Sequence, residues 1–277
     1  MDVSHPEIVD AVRRALAEDI GSGDVTTNLC VPADAKATGR VLAQQNLTLA
    51  GVELLPLIFP DSEVRLNHSS GDCLVAGDEV AVVTGPARSL LKGERTALNF
   101  VQRLSGIATL ASAYVKAVEG TGCRILDTRK TTPGLRRLEK MAAAAGGATN
   151  HRMGLYDAVL IKNNHISAAG GLREALERVR RGGLPPEFDI EIEVRTRAEL
   201  EEALDAGARH ILLDNLEPAE AREWIVHIDG RATVELSGSI RLDTVRTFAE
   251  TGADFVSCGA LTHSAPAADL NFRLELA

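Results

Sequence analysis

The feature that most constrains the fold is a regular alternation of apolar runs and helical stretches between residues 123 and 259. Four helical stretches, GLREALERVRRG, RAELEEALDAG, PAEAREWIVHI and LDTVRTFAETG, separate the later runs. Strands that alternate with helices in this way pair in parallel, and the later units recur about every twenty residues, a spacing typical of α/β barrels. The six apolar runs that we interpret as strands are CRILDT (123–128), AVLIK (158–162), DIEIEV (189–194), HILLDN (210–215), ATVELSG (232–238) and DFVSCG (254–259). Six strands predict either an incomplete barrel or a seventh strand that the pattern hides.

The first hundred residues follow a different pattern. A helix over about residues 5–18 precedes a turn-rich loop, and strand-like runs occur at 37–51 and 78–91. The segment SLLKGERTALNFVQRLSG has helical periodicity and a plausible stop at Ser105-Gly106. We therefore expect an α+β sandwich domain over residues 1–104, an α/β barrel catalytic domain over 105–265, and a return of residues 266–277 to the first domain.

Composition narrows the classes of partner. A net charge of −9 and an aromatic content of 3% argue against nucleic acid, which needs a basic surface and stacking side chains. No apolar run approaches the length of a membrane span, and the N-terminus lacks the basic start of a signal peptide. The four cysteines form no C-x-x-C pair, which disfavours a zinc site. We expect a cytoplasmic protein that contacts neither nucleic acid nor membrane.

Polar groups or glycine turns follow all six predicted strands, at the edge where α/β barrels carry their chemistry. These strand ends carry Asp127-Thr128-Arg129-Lys130, Lys162-Asn163-Asn164-His165, Glu191 and Glu193, Asp214-Asn215, Glu235 with Ser237-Gly238-Ser239, and Cys258-Gly259. A single strand that ends in polar residues is ordinary, because loops are polar. Six together indicate an active site.

Cations at these strand ends predict an anion site within an acidic protein. The cationic residues are Arg129, Lys130, Lys162 and the nearby Arg152. Arginine binds planar carboxylates and phosphates through two parallel N–H groups. The glycine-bearing turns LSGSI (236–240) and SCGAL (257–261) lie where barrels commonly hold phosphate on backbone N–H groups.

Two acids, Glu193 and Asp214, end adjacent predicted strands. Carboxylates inside a cationic pocket suit a divalent cation such as magnesium, which prefers oxygen ligands and often binds substrate phosphates. Phosphate turns, metal-binding acids and surplus cations together predict a substrate with phosphates, a metal-bound leaving group and additional carboxylates.

Several other charged residues allow a structural interpretation. His151 lies beside Arg152 among glycines, which favours function, whereas His165 and His263 are evenly balanced. Arg95 in KGER and Lys140 in LRRLEKM have the pattern of solvated helix charges.

Six motifs run in order from residue 18 to residue 264: EDIGSGDVTT, ERTALNFVQRLSGIAT, DTRKTTPGLRRLEK, GGATNHRMGLYDAVLIKNNHI, ILLDN and GALTHS. In these motifs the chain resembles the quinolinate phosphoribosyltransferase family. The resemblance implies an N-terminal sandwich domain and an incomplete α/β barrel, in agreement with the division above. It also implies that quinolinate and phosphoribosyl pyrophosphate give nicotinate mononucleotide, pyrophosphate and CO2, in de novo NAD biosynthesis.

The resemblance further implies roles for individual residues. The quinolinate carboxylates would be bound by Arg129, His151 and Arg152, with Thr128 and Lys130 beside them. The catalytic residues would be Lys130, Lys162, Glu193 and Asp214, of which Lys162 lies between quinolinate and the donor. The last two would hold the ribose hydroxyls and magnesium–pyrophosphate, directly or through water. No organic cofactor is implied.

The donor's 5-phosphate would lie among Ser237, Gly238, Gly259 and His263. Arg95 would reach from a partner subunit into the site, so the resemblance implies a homodimer with shared active sites and leaves a higher oligomer open. This implied role replaces the interpretation of Arg95 as a solvent-exposed charge on a helix.

Four positions depart from the family pattern. Asn163 stands where the family usually has an acid after the barrel lysine, which puts a metal role at that position in doubt. Met141 replaces tyrosine and Ala148 replaces glycine, and either could reshape the pocket wall. Ser239 could add a hydroxyl to the phosphate turn.

Other functions remain open on the residues alone. A lysine at a barrel strand end, such as Lys162, suits a Schiff-base lyase. A related phosphoribosyltransferase for another pyridine carboxylate would need the same cations. A non-catalytic pyridine or phosphate sensor is disfavoured, because Lys130, Lys162, Glu193 and Asp214 are all present.

Overall fold

The computed structural model describes residues 2–185 and 188–276. The strands, numbered along the chain, are β1 (Lys36–Ala43), β2 (Leu47–Thr48), β3 (Glu63–Leu66), β4 (Cys73–Leu74), β5 (Glu79–Pro86), β6 (Arg124–Leu126), β7 (Val159–Ile161), β8 (Ile190–Val194), β9 (His210–Asp214), β10 (Thr233–Ser237), β11 (Phe255–Ser257) and β12 (Leu270–Leu276). The helices are α1 (Pro6–Ile20), α2 (Val25–Cys30), α3 (Leu55–Ile58), α4 (Ala87–Ala117), α5 (Arg136–Ala145), α6 (Asn163–Ala169), α7 (Leu172–Arg181), α8 (Arg197–Asp205), α9 (Pro218–Ile228), α10 (Val245–Ala249) and α11 (Ala260–His263). Among these described helices, none has the length and apolar character needed to cross a membrane.

Two compact units divide the chain. The first contains the described residues up to 112, residues 131–147 and those from 261 onward. The second contains residues 113–130 and 148–260.

The first unit is built on an antiparallel sheet with the order β12-β1-β5-β3. Residues of β1 alternate between buried and more exposed positions, as expected for a strand with one face on a core. The C-terminal strand β12 pairs with β1 from Ala37↔Leu276 to Ala43↔Leu270, so the end of the chain does return to this unit. Gly39 is required in β1 because a Cβ there would lie 2.0 Å from the Phe272 ring.

Helix α4 continues past the stop that the sequence predicts at Ser105-Gly106, so that prediction is wrong. Gly106 lies inside this 31-residue helix, where a Cβ would come within 1.9 Å of the Pro266 carbonyl oxygen. The glycine therefore permits close packing against the backbone and does not end the helix. The division between the two units consequently falls within α4, after Ser112.

Residues 131–147, which carry α5, lie with the first unit although they fall inside the predicted barrel range. Arg137 donates from Nε to Glu7 Oε2 of α1 at 2.8 Å. On the other face of α5, Glu139 is fully buried and accepts from Arg103 Nη2 at 2.9 Å. Lys140 is also fully buried, so the sequence-based interpretation of Lys140 as a solvated helix charge is wrong.

The second unit contains a six-stranded parallel sheet with the order β6-β11-β10-β9-β8-β7. These are the six strands predicted from the sequence, and the partial α/β barrel is confirmed. An isolated parallel bridge, Leu126↔Thr149, adds one further pairing beside β6. Thr149 donates its N–H to Ile125 at 2.8 Å and its carbonyl accepts from Asp127 at 3.1 Å. The segment around Thr149 is too short for a periodic pattern, which explains why the sequence predicted six strands.

Alternation within these strands separates two faces. Ile192 and Val194 of β8 are fully buried, as are Ile211 and Leu213 of β9. The residues between them have side chains on the opposite face of the sheet: Glu191, Glu193, Leu212 and Asp214. One face therefore packs as an apolar layer, while the other presents acids to the barrel interior.

Candidate active site

The strand ends of the second unit converge on one cavity of about 260 Å³. Its lining residues are Thr128, Arg129, Lys130, His151, Arg152, Leu160, Lys162, Glu193, Arg195, Leu212, Asp214, Glu235, Ser237 and Ser257. Nine of the residues to which the sequence analysis gives a role are in this set. Five cationic and three acidic side chains therefore line one small cavity. This composition is expected for a site that binds an anionic substrate together with a metal cation.

Two guanidinium groups form one wall of the cavity. Burial lowers the pKa of Arg152, and the positive charge of Arg129 lowers it further. Arg152 also donates from Nη1 to the Ala158 carbonyl at 3.2 Å, so its reach into the cavity is constrained. Two adjacent guanidinium groups repel each other, and a ligand with two carboxylates would relieve that repulsion.

Asp127 fixes the backbone that leads to this wall. It is fully buried at the end of β6, and its carboxylate accepts hydrogen bonds from the Asn150 side chain and, at 2.9 Å, from the His151 backbone N–H. Thr128 Oγ1 accepts from the Lys130 N–H at 3.1 Å. Asp127 is therefore a structural anchor, and the residues after it form the cavity.

His151 is held by protein groups at both ring nitrogens. Nε2 lies 3.1 Å from Glu191 Oε2 and 3.4 Å from Glu235 Oε2. Nδ1 accepts from the Arg152 backbone N–H at 2.7 Å. The three side chains offer ligand atoms within 4.8 Å of one another, a spacing that a cation could use, although here they interact with each other.

This cluster of His151, Glu191 and Glu235 retains a proton. Burial lowers the pKa of His151, but hydrogen bonds to Glu191 and Glu235 outweigh burial and raise this pKa to about 9. Burial, with the neighbouring Glu235, raises the pKa of Glu191 to about 7. The three groups are tightly coupled, so the cluster keeps its additional proton to a higher pH than an isolated histidine would.

The retained proton should make stability depend on pH. A pKa of His151 raised from 6.5 to about 9 stabilises the fold below pH 6.5, and this contribution is lost as the pH rises towards 9. We expect the free energy of unfolding to fall by about 2–3 kcal/mol over that range. Glu235→Gln removes one carboxylate that stabilises the protonated cluster. The free energy of unfolding of this variant should therefore fall less steeply as the pH rises. Urea unfolding at pH 6.5, 8 and 9 measures the dependence of the free energy of unfolding on pH for the parent and for the variant. The same dependence in both proteins would contradict a role of Glu235 in holding the proton.

Glu193 and Asp214 share a cation that the sequence analysis did not single out. Arg195 Nη2 lies 2.9 Å from Glu193 Oε1 and 3.1 Å from Asp214 Oδ2. Arg195 Nε donates to the same Asp214 oxygen at 3.1 Å, and Asn215 Nδ2 donates to it at 2.9 Å. The two carboxylates are therefore close enough to bind one cationic group together.

The turn after β10 depends on glycine. Gly238 has a φ of 124°, and a Cβ there would lie 2.6 Å from Asn215 Oδ1. Asn215 itself has a φ of 59° and donates its N–H to the Ser237 carbonyl at 2.8 Å. The turns after β9 and β10 thus pack directly on each other, which brings Asp214 and Ser237 to one edge.

Other predicted residues lie away from this cavity lining or in the first unit. Arg95, on α4, and His263, at the end of α11, belong to the first unit. Gly259 follows β11 within the second unit. His165 accepts from the Lys162 backbone N–H at 2.9 Å and so caps α6, which gives it a structural role.

Arg195 and the pair Glu191–Glu235 are the site residues that sequence reasoning undervalued. Arg195 directly follows β8, so the strand-end rule that selected Lys162 and Asp214 applies to it equally. Glu191 and Glu235 were noted at strand ends but were assigned no role. Their alternation with buried Ile192 and Leu236 was the available signal that both side chains point inward.

Comparison with known proteins places the whole chain in one family. The family model described as quinolinate phosphoribosyl transferase, N-terminal domain, matches residues 24–105, and the model of the C-terminal domain matches residues 107–273. A probable nicotinate-nucleotide pyrophosphorylase (carboxylating) of Bacillus subtilis (strain 168) is 38% identical, over 99% of this chain and 96% of the relative. The chloroplastic nicotinate-nucleotide pyrophosphorylase (carboxylating) of Arabidopsis thaliana is 39% identical, over 98% of this chain and 84% of its own.

Solved structures are similar over the same extent. NadC from Streptococcus pyogenes has a TM-score of 0.94 at 38% identity, covering 100% of this chain and 99% of its own. The nicotinate-nucleotide pyrophosphorylase of Ehrlichia chaffeensis has a TM-score of 0.93 at 33% identity, covering 99% of this chain and 100% of its own. With both domain models matched in order and relatives aligned over nearly their full length, the chain belongs to the quinolinate phosphoribosyltransferase family.

Proposed function

We propose that this protein transfers the phosphoribosyl group of phosphoribosyl pyrophosphate to quinolinate, with decarboxylation, and so forms nicotinate mononucleotide for NAD biosynthesis. The observation that carries the proposal is that two guanidinium groups, Arg129 and Arg152, and two acids, Glu193 and Asp214, line one cavity. The first pair matches a dicarboxylate, and the second matches a hydroxyl-bearing, metal-bound donor. Membership of the family supports the same reaction.

On the quinolinate side, Arg129 and Arg152 hold the two carboxylates, and Thr128 and Lys130 lie at the same wall. The half-buried His151 lies beside Arg152 and accepts a hydrogen bond from its backbone N–H at Nδ1. Fixing a flat ring through two charged anchors leaves its nitrogen aimed in one direction. This is catalysis by positioning, which can lower a barrier by several kcal/mol, up to about 7–11 in well-oriented systems.

On the donor side, Glu193 and Asp214 would hold the ribose hydroxyls and magnesium. Ser237, Gly238 and Gly259 would surround the 5-phosphate, and for His263 the family resemblance alone implies the same role. The acids fit magnesium because they supply hard oxygen ligands that already share one cation, Arg195. Bound magnesium would neutralise charge on the leaving pyrophosphate. Lys162 lies between the two substrates and adds a point charge.

The reaction needs no covalent intermediate with the protein. The bond between the ribose C1 and the pyrophosphate oxygen breaks with its electrons on oxygen, and the quinolinate ring nitrogen forms the new bond to C1. The ring nitrogen becomes cationic. The bond from ring C2 to its carboxylate then breaks, CO2 leaves, and the electron pair on C2 accepts a proton to give the product. Fixed cations around the substrates stabilise the developing negative charge.

A homodimer with shared sites completes this proposal. Arg95 of a partner subunit adds a cation to each site, as the family resemblance implies. Arg95 is exposed on α4, as such a role requires.

One assay tests the function directly. Protein, quinolinate, phosphoribosyl pyrophosphate and Mg²⁺ should yield nicotinate mononucleotide and CO2 in equal amounts, while nicotinate in place of quinolinate should yield little product. Comparable turnover of nicotinate would overturn the substrate assignment. Borohydride treatment with a carbonyl substrate should leave Lys162 unmodified, because the reaction forms no Schiff base; a trapped adduct would favour a lyase.

A further inference from the structure

Arg195 occupies the acid pair that the proposed function gives to the donor and its metal. Its guanidinium makes charged contacts with Glu193 Oε1 at 2.9 Å and with Asp214 Oδ2 at 3.1 Å. The two carboxylate side chains are nearly buried, at 7% and 12% exposure, whereas the Arg195 side chain is 48% exposed. The two acids are thus shielded from solvent, whereas about half of the cation's side chain remains accessible to it.

Hydrogen bonds hold the backbone at Arg195, whereas its side chain is half exposed to solvent. Its N–H donates to Glu199 Oε2 at 2.7 Å, and the Thr196 N–H donates to the same oxygen at 3.1 Å. The Thr196 bond belongs to the capping box that begins α8, and the Arg195 bond ties the preceding residue to it. A change in the partner of the guanidinium therefore needs rotation about side-chain bonds alone, without movement of β8 or α8.

We propose that Arg195 is a mobile counter-cation of the donor site, which bridges Glu193 and Asp214 in the absence of the donor and transfers to phosphate oxygens when the donor binds with its metal. This inference rests on the proposed function, because it takes the two acids as the donor's ligands. A divalent cation held by Glu193 and Asp214 would compete with the guanidinium for the two carboxylates that Arg195 contacts. Arginine, with a planar set of donors, suits carboxylate and phosphate equally well.

The charges of the site explain why a metal should replace Arg195 on the two acids more readily when phosphate groups bind with it. Without a cation, two neighbouring carboxylates with little access to water repel each other, and Arg195 reduces that repulsion. A metal alone must displace Arg195 and leaves it without an anion. A metal that arrives with phosphate groups supplies that anion, since Arg195 lines the same cavity as Lys162 and Ser237. Metal and phosphate should therefore bind cooperatively through this side chain.

Two binding measurements on the substrate-free protein test the proposal, with Arg195→Gln as the variant and Arg197→Gln as its matched control. Arg197 is 41% exposed and pairs with Glu201 at 2.9 Å on α8, so the control removes a similar surface arginine two residues away. In Arg195→Gln, Mn²⁺ alone should bind about tenfold more tightly than to the parent. Inorganic pyrophosphate in the presence of a chelator should bind about tenfold more weakly. Arg197→Gln should leave both affinities unchanged.

The opposite directions of the two changes identify the mechanism. Damage to the fold would weaken both ligands, and a passive surface ion pair would leave both unchanged. Either pattern, or any pattern other than tighter Mn²⁺ with weaker pyrophosphate, overturns the proposal. Arg195→Lys keeps one charge but cannot bridge two carboxylates in the same way, so its Mn²⁺ affinity should lie between those of the parent and Arg195→Gln. Neither titration contains quinolinate, so failure of the proposed reaction would appear separately, in the product assay.

Discussion

Arg152→Ala should raise the Michaelis constant for quinolinate by about 30- to 4,000-fold, which corresponds to a loss of roughly 2–5 kcal/mol. The cost is large because the variant leaves one carboxylate of the substrate without its partner inside a partly enclosed cavity. Arg129→Ala should act in the same direction. Steady-state kinetics with quinolinate varied and phosphoribosyl pyrophosphate saturating measures both effects, and an unchanged Michaelis constant in both variants would contradict the assignment.

Two comparisons separate binding from folding in this experiment. Arg178→Ala, which removes an exposed arginine paired with Glu174 on α7, should leave the Michaelis constant unchanged. Arg152→Lys keeps the charge but loses the planar fork, so it should recover only part of the affinity. Because Arg152 also bonds the Ala158 carbonyl, thermal unfolding of each variant should accompany the kinetics. A lowered melting temperature that accounts for the activity loss would assign Arg152 a structural role instead.

Lys162→Ala should lower kcat by about 10²–10³-fold, because a fixed cation that faces developing charge stabilises the transition state more than the ground state. The folded structure should be retained, since the Lys162 side chain is exposed and its backbone N–H, which bonds His165, remains. Lys162→Arg keeps the charge and should retain more activity than Lys162→Ala. Single-turnover measurements of product formation test this, and near-parental rates in Lys162→Ala would remove it from the catalytic set.

The same variant tests whether active sites are shared between subunits. Arg95→Ala and Lys162→Ala proteins should each be nearly inactive. If each site takes Lys162 from one subunit and Arg95 from the other, every hybrid dimer contains one intact site. Random exchange would then restore about a quarter of the parental activity, because half of the dimers are hybrids with one of two sites intact. Lack of recovery in a mixture with proven hybrid dimers would show that Arg95 serves its own subunit or none.

Local pattern was enough to predict the barrel strands and most of the cavity. Each strand of the parallel sheet is a short apolar run with polar punctuation, and the carboxyl ends of parallel strands must meet at one edge. Lys162, Glu193 and Asp214 could be selected for this reason without knowledge of any contact. The pairing of Thr149 with Leu126 could not be predicted in this way, because a single bridged pair leaves no periodic pattern in the sequence.

Glycine illustrates where local pattern misleads. Ser105-Gly106 has the composition of a helix end, yet α4 continues through it, because the backbone at Pro266 packs against the face where a side chain would lie. The partner is 160 residues away in sequence, so no window around Gly106 contains the information. Lys140 is a parallel case: its neighbours suggest a solvated charge, whereas the fold buries it completely.

By itself, the sequence determined which residues stand at the strand ends, because side-chain alternation and turn residues act over a few positions. The tertiary structure alone decided which of these charges pair with which. His151 precedes β7, Glu191 lies on β8 and Glu235 lies on β10, and the fold brings both acids to within 3.4 Å of the His151 ring. In the same way, the pairing of β8 with β9 places Arg195 between Glu193 and Asp214. Charge pairing falls off within a few ångströms, so it depends on strand order and register, which no local pattern encodes.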